Sequence, residues 1–153
     1  MKPKLLVSAC LLGTPCRYDG KSKKNEAVCA LAERFELIPV CPEVLGGLPT
    51  PRTPSERRGA CVVRKDGRHV TAEYRRGAEC ALETARREGV LAAVLKERSP
   101  SCGSGEIYDG TFTGALTAGD GVTAELLKAN GITVYGEGEQ SLTEFLCSVS
   151  HST

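Results

Sequence analysis

The stretch that decides the fold is "TAEYRRGAECALETARREGVLAAVLKE", Thr71 to Glu97. Its first part, Ala72 to Glu88, reads as a helix with Thr71 as the N-cap and Gly89 as the stop. Directly after that glycine comes "GVLAAVLKE" (Gly89 to Glu97), a short apolar run with the length of a buried strand. A helix that feeds a strand in this way is half of a crossover unit.

Outward from that pair the same order repeats. "KLLVSA" (Lys4 to Ala9) is a first strand that ends in a Gly/Pro loop. "NEAVCALAERF" carries Ala27, Val28, Leu31, Ala32 and Phe35 at helical spacing and leads into "ELIPVC" (Glu36 to Cys41). "VTAELLKAN", ended by Asn130 and Gly131, precedes "GITVYG" (Gly131 to Gly136). A last helix opens on a capping box from Ser141 to Glu144. Strands alternating with helices call for a parallel sheet. The expectation is therefore one α/β domain over residues 1–153, with a mainly parallel open sheet in a Rossmann-like three-layer arrangement. Asp66 and Gly67 in "ACVVRKDGRHVTA" mark a small hairpin insertion with an antiparallel flank. The segment Pro42 to Arg58 holds four prolines (Pro42, Pro49, Pro51, Pro54) and reads as one long, stiff, functional loop.

Composition narrows the function. With 20 Lys plus Arg against 19 Asp plus Glu, the formal charge is +1, which leaves no electrostatic footprint for duplex nucleic acid or an anionic membrane. The run "LLVSACLL" is too short for a secretory signal and no window approaches a transmembrane span, so the chain reads as cytoplasmic. Eight cysteines in 153 residues are too few for a secreted disulfide scaffold, and in a reducing compartment metal or catalytic roles rise. No phosphate-binding G-x-x-x-x-G-K-[ST] loop occurs, and no G-x-G-x-x-G follows a strand. The Gly-rich run from Gly114 to Leu127 enters a helix N-terminus, which could receive an anion or be a plain loop.

Ligands of an open parallel sheet bind beyond the carboxyl ends of its strands. Cys10 follows the first strand, Cys41 closes the second, and Cys102 lies in the loop after the third, so the three converge on one crevice. Three thiolates there suit a metal centre, such as an iron–sulfur cluster with one iron left free. Cys16 is a fourth ligand, a resolving thiol or an inert neighbour. Cys29, Cys61, Cys80 and Cys147 are expected as small core hydrophobes. Nearby, Glu43 offers a carboxylate to activate water, and Ser99 and Ser101 offer hydroxyls, set against plain roles as a solvated side chain and turn formers. His69 and His151 fall away from these loops, which disfavours a Cys–His hydrolase.

Four motifs in order, "SACLLGTPCRYDG", "PVCPEVLGGLPTPRTPSE", "LKERSPSCGSGEIYDGTFTG" and "GVTAELLKANGI", span nearly the whole chain. Together they resemble a small prokaryotic family that includes the TudS-type thiouracil desulfidases. The resemblance implies a [4Fe–4S] cluster on Cys10, Cys41 and Cys102, with one iron not ligated by protein and available as a thiophilic Lewis acid. It implies desulfuration of a small thiolated pyrimidine without net redox change, with Glu43 and Ser101 as the catalytic pair, and a supply of clusters from assembly machinery. The rival from another class is a non-catalytic metal or redox-sensing module that uses Cys10 and Cys16 as a thiol pair. A zinc-bound structural domain is a third option. Sulfur insertion into RNA is disfavoured by the missing nucleotide loop and the near-neutral charge. Arg52 and Glu56 either line the pocket or brace its loop.

Overall fold

The computed structural model describes residues 2–150; His151 lies outside them. Four parallel strands form the main sheet: β1 (Lys4–Ser8), β2 (Glu36–Val40), β5 (Ala92–Leu95) and β8 (Val134–Gly136), in the order β2-β1-β5-β8. Register runs from Leu5 opposite both Leu37 and Ala92 to Leu95 opposite Gly136. Pro39 sits in β2, an edge strand, where a missing ladder donor is tolerated.

Strand periodicity sorts the apolar side chains onto two faces. Leu5, Val7, Ala92 and Val94 pack with Val28, Phe35, Leu142 and Phe145 on one side. These come from α1 (Glu26–Ala30), the residues just after it, and α5 (Glu139–Ser150). Leu6, Ala93 and Leu95 pack with Leu82, Ala85, Ala124 and Leu127 on the other, under α3 (Thr71–Glu88) and α4 (Val122–Ala129). A sheet apolar on both faces needs helices on both, and the three-layer α/β expectation stands.

Several local expectations shift. Val70, not Thr71, holds the N-cap position of α3, because the Thr71 hydroxyl accepts the Val62 N–H at 2.9 Å. Gly89 stops the helix in the left-handed region, at φ 65. Ser141 lies inside α5 and accepts the Gly136 N–H at 2.8 Å, so it tethers the helix to β8 instead of capping it. The segment from Pro42 to Arg58 is not one loop. It contains α2 (Pro42–Leu45) and β3 (Ser55–Arg58), and β3 pairs antiparallel with β4 (Cys61–Arg64). The small antiparallel flank thus exists. The chain turns back at Asp66 and Gly67, where Val63 bridges His69 and the amides of Arg64 and Val70 bond the carbonyls of Arg68 and Val62. A further turn at Gly59 joins β3 to β4. A second small pair, β6 (Glu106–Tyr108) with β7 (Leu116–Ala118), had no counterpart in the sequence reading.

Candidate metal centre

The strand order reverses at β1: the chain moves outward to β2, then returns to the far side of β1 as β5. Loops after β1 and β5 therefore part at their carboxyl ends and leave a crevice. A cavity of about 570 Å³ lies there, and Cys10, Cys16, Cys41 and Cys102 all line it.

Each thiol is set by a distinct local device. Cys10 is buried in a 3-10 turn, Ala9–Leu12, that ends at Gly13 in a left-handed conformation. Cys41 occupies the N-cap of α2, with extended backbone at φ −129 and ψ 95, so the chain turns from strand to helix at the thiol itself. Cys102 is buried in a loop tied to the start of α4. There the amides of Val122, Thr123 and Ala124 bond the carbonyls of Pro100 and Ser101. That helix N-terminus is thereby satisfied by the chain and is not an anion site. Gly121 allows the approach, since a Cβ there would stand 2.8 Å from the Cys102 nitrogen.

Glu43 stands in the first turn of α2 and is held through one oxygen. Its Oε2 accepts Arg52 Nε at 3.1 Å and the Tyr74 hydroxyl at 2.9 Å, and forms an ion pair with Arg52 Nη2 at 3.0 Å. Burial, together with the Glu43 charge, raises the Tyr74 phenol far above its usual range, so it stays a donor. Arg52 also donates to the carbonyls of Pro49 and Cys16, at 3.1 and 3.0 Å, and to Thr50 Oγ1 at 3.1 Å. Arg52 therefore lines the cavity and braces its loop at once. Glu56 does likewise: it is buried, and its Oε1 accepts the amides of Gly110 and Phe112 at 2.9 and 3.1 Å.

The two serines part company. Ser99 lines the cavity, and its Oγ accepts the amides of Ser101 and Cys102 at 3.0 and 3.1 Å, which leaves its own proton available. Ser101 is fully buried, with its hydroxyl 2.8 Å from Thr123 Oγ1 and hydrogen-bonded to the Cys102 thiol. Ser8, which the sequence reading did not single out, touches Cys102 from the other side. Its Oγ accepts the Lys96 N–H at 2.8 Å and its hydroxyl meets the Cys102 thiol. Burial pushes the Cys102 thiol up to about 12, against these two hydroxyls, which favour the thiolate. Cys41 is also raised, first by its hydrogen bond with Cys16 and then by burial. Cys61 and Cys147 are exposed rather than core, and Cys29 and Cys80 are half-buried.

Cysteines free of disulfides, Cys10 and Cys102 buried and Cys41 half-buried, are a donor set that a soft metal group would bind as thiolates. They ring a cavity rather than close on a point: among the described residues no three Cys, His, Asp or Glu side chains gather tightly enough for a single ion. That spread suits a cluster, whose cysteine sulfurs sit on separate irons. Six basic residues (Arg17, Lys23, Arg52, Lys65, Lys96, Arg98) line the cavity against three acidic ones (Glu43, Glu56, Glu97), and of the six Arg17, Lys96 and Arg98 also pair with Asp19, Glu137 and Glu106.

Fold and site together define a doubly wound α/β protein with a thiol-lined cavity where its strand order switches. The chain belongs to the 2-thiouracil desulfurase family, whose profile matches residues 5–139. It is 43% identical over 145 residues to the uncharacterized protein YbbK of Bacillus subtilis, an alignment that takes in 88% of this chain and 96% of that protein. It is also similar to a solved structure described as the [4Fe–4S]-dependent thiouracil desulfidase TudS. The two share 50% identity and a TM-score of 0.90, over 97% of this chain and 99% of that one. Among the described residues no helix is long and apolar enough to cross a membrane.

Proposed function

We propose that this protein is a [4Fe–4S]-dependent thiouracil desulfidase in which Cys10, Cys41 and Cys102 hold the cluster and one iron keeps no protein ligand. The observation that carries the reading is the meeting of these three cysteines, from three separate strand ends, in one cavity whose wall also holds Glu43. The reaction exchanges C=S for C=O: water enters, hydrogen sulfide leaves, and no electrons are gained or lost. A cluster bound there supplies a thiophilic Lewis acid that polarises the C=S bond.

The chain's own groups supply the rest. Glu43 is the general base. With Oε2 occupied by Arg52 and Tyr74, its Oε1 is the oxygen left to take a proton from the attacking water. Ser101 acts at the sulfur of Cys102, fixing that ligand, while Ser99 presents its hydroxyl to the ring. The substrate is a small thiolated pyrimidine, which a cavity of about 570 Å³ accommodates. We read the chain as one cytoplasmic domain that receives its cluster from assembly machinery.

The test begins with anaerobic purification. About four irons and four sulfides per chain support the cluster, and zinc alone after reconstitution overturns the reading. Glu43→Gln should keep the cluster content of the wild type and lose turnover of thiouracil by on the order of a hundredfold or more. Full turnover with an intact cluster removes Glu43 from the role. Ser99→Ala should lower kcat per loaded cluster, whereas Ser101→Ala should shift the cluster spectrum.

A further inference from the structure

The proposed chemistry does not use Cys16, yet Cys16 is 8% exposed and lines the same cavity as the ligands. The Cys41 thiol donates to the Cys16 carbonyl at 3.8 Å. The Cys16 thiol also stands near enough to the Cys10 and Cys41 thiols for each to perturb the other. Its backbone is pinned: Arg52 Nη2 holds the Cys16 carbonyl at 3.0 Å, and the Arg52 amide holds the Tyr18 carbonyl at 2.6 Å. A cysteine that merely filled space would not need a fixed main chain against a second thiol. The same cavity that admits a substrate admits a small oxidant, so burial does not shield the pair.

We propose that in the metal-free chain Cys16 and Cys41 form a reversible disulfide, which withholds a cluster ligand until it is reduced. The oxidant is a hydroperoxide. One thiolate attacks the peroxide oxygen, giving a sulfenic acid and releasing an alcohol, or water from hydrogen peroxide; the second thiol then closes the S–S bond and releases water. Two electrons and two thiol hydrogens leave the protein, and a dithiol returns them by exchange through a mixed disulfide. The disulfide also keeps Cys41 from the irreversible sulfinic and sulfonic acids. The consequence for loading rests on Cys41 being a cluster ligand, as proposed above; the disulfide itself does not.

Trypsin makes the pairing readable. Cuts after Lys4, Arg17, Arg34 and Arg52 leave residues 5–17 with Cys10 and Cys16, and residues 35–52 with Cys41 alone. The full-length metal-free chain is reduced, exposed to hydrogen peroxide without air, alkylated and digested. The expected product joins the two peptides with Cys10 alkylated. The joined product is absent from Cys16→Ser. After peroxide and then dithiothreitol, the wild type should regain its full uptake of iron and sulfide, and Cys16→Ser several-fold less, because its unprotected Cys41 is over-oxidised. No joined peptide in the wild type, a link through Cys10 instead of Cys16, or equal recovery by the variant each overturns the proposal. A joined peptide in a chain that takes up no iron under any condition would refute the withheld ligand and the desulfidase reading together, while the disulfide would stand.

Discussion

Gly77 lies in the middle of α3, where helix propensity alone says that Gly77→Ala stabilises by about 1 kcal/mol. Packing says the opposite. A Cβ at position 77 would stand 2.7 Å from the carbonyl carbon of Pro42, closer still to its oxygen, and 3.3 Å from the Gly46 nitrogen. All of these are backbone atoms, so no rotamer change relieves the overlap and α2 and α3 must part. Carbon atoms rest at about 3.5 Å or more, so the separation is on the order of 1 Å. Overpacking costs about 1–3 kcal/mol, and backbone on both sides places this case in the upper half of that range. After the propensity gain, a net loss of about 1–2 kcal/mol remains. Because α2 carries Cys41 at its N-cap and Glu43 in its first turn, the same shift misplaces the proposed ligand and the proposed base. A displacement of about 1 Å is enough to lower turnover by roughly a hundredfold. Urea unfolding of the metal-free chain reads the first effect; iron per chain and thiouracil turnover read the second. A Gly77→Ala protein that resists urea as well as the wild type, and loads and turns over normally, refutes the claim that this contact positions α2.

Arg52→Lys keeps the charge but gives up most of four hydrogen bonds to Glu43, Pro49, Thr50 and Cys16 and the close Nη2 ion pair with Glu43, a loss of about 2–3 kcal/mol in urea unfolding. Unchanged stability would remove Arg52 as the tie between those segments. Glu56→Ala orphans the Gly110 and Phe112 amides, so both should exchange hydrogen faster and the chain should lose about 2 kcal/mol; preserved protection contradicts this. For Asp120, partial burial acts to raise the carboxyl, but the Lys128 ammonium and the Gly105 amide outweigh it and hold the group below its usual range. A carboxyl lowered by folding stabilises above its unfolded pKa of about 3.9 and loses that contribution as pH falls through the folded value. Asp120→Asn should therefore be less stable than wild type near neutrality, with the gap closing on acidification. Urea midpoints that differ by the same amount from neutral pH down to acid would refute the linkage.

What the sequence made legible was periodic or positional. The run from Thr71 to Glu97 announced a helix, a glycine stop and a buried strand, and the structure has all three. Once the strands were placed, chain direction alone put Cys10, Cys41 and Cys102 at one edge. What stayed hidden depends on long-range partners. Nothing about Tyr74 within its helix says that its hydroxyl reaches Glu43, thirty-one residues earlier. Ser99 and Ser101 are alike in sequence, and only the docking of their loop on α4 decides which hydroxyl meets the cavity. Cys61 read as core because it begins an apolar run, but β4 belongs to a two-stranded pair that leaves it exposed. Gly46 and Gly77 carry no local sign of their role, because the backbone that each must admit lies in another helix.

The central place of β1 has a consequence for how the site comes into being. Its partners, β2 and β5, lie about thirty and nearly ninety residues downstream. Closing loops of that length costs entropy before any contact repays it, so the pairing belongs to the slow, topology-limited part of folding. A metal site of the C-x-x-C kind can grip its ion from a short stretch of unfolded chain. Here Cys10 and Cys41 emerge early in synthesis, but Cys102 cannot join them until β5 and its loop have followed. The loop of Cys102 is secured only when α4 supplies the amides that bond its carbonyls. The architecture therefore makes capture of the proposed cluster a late event that waits for α4.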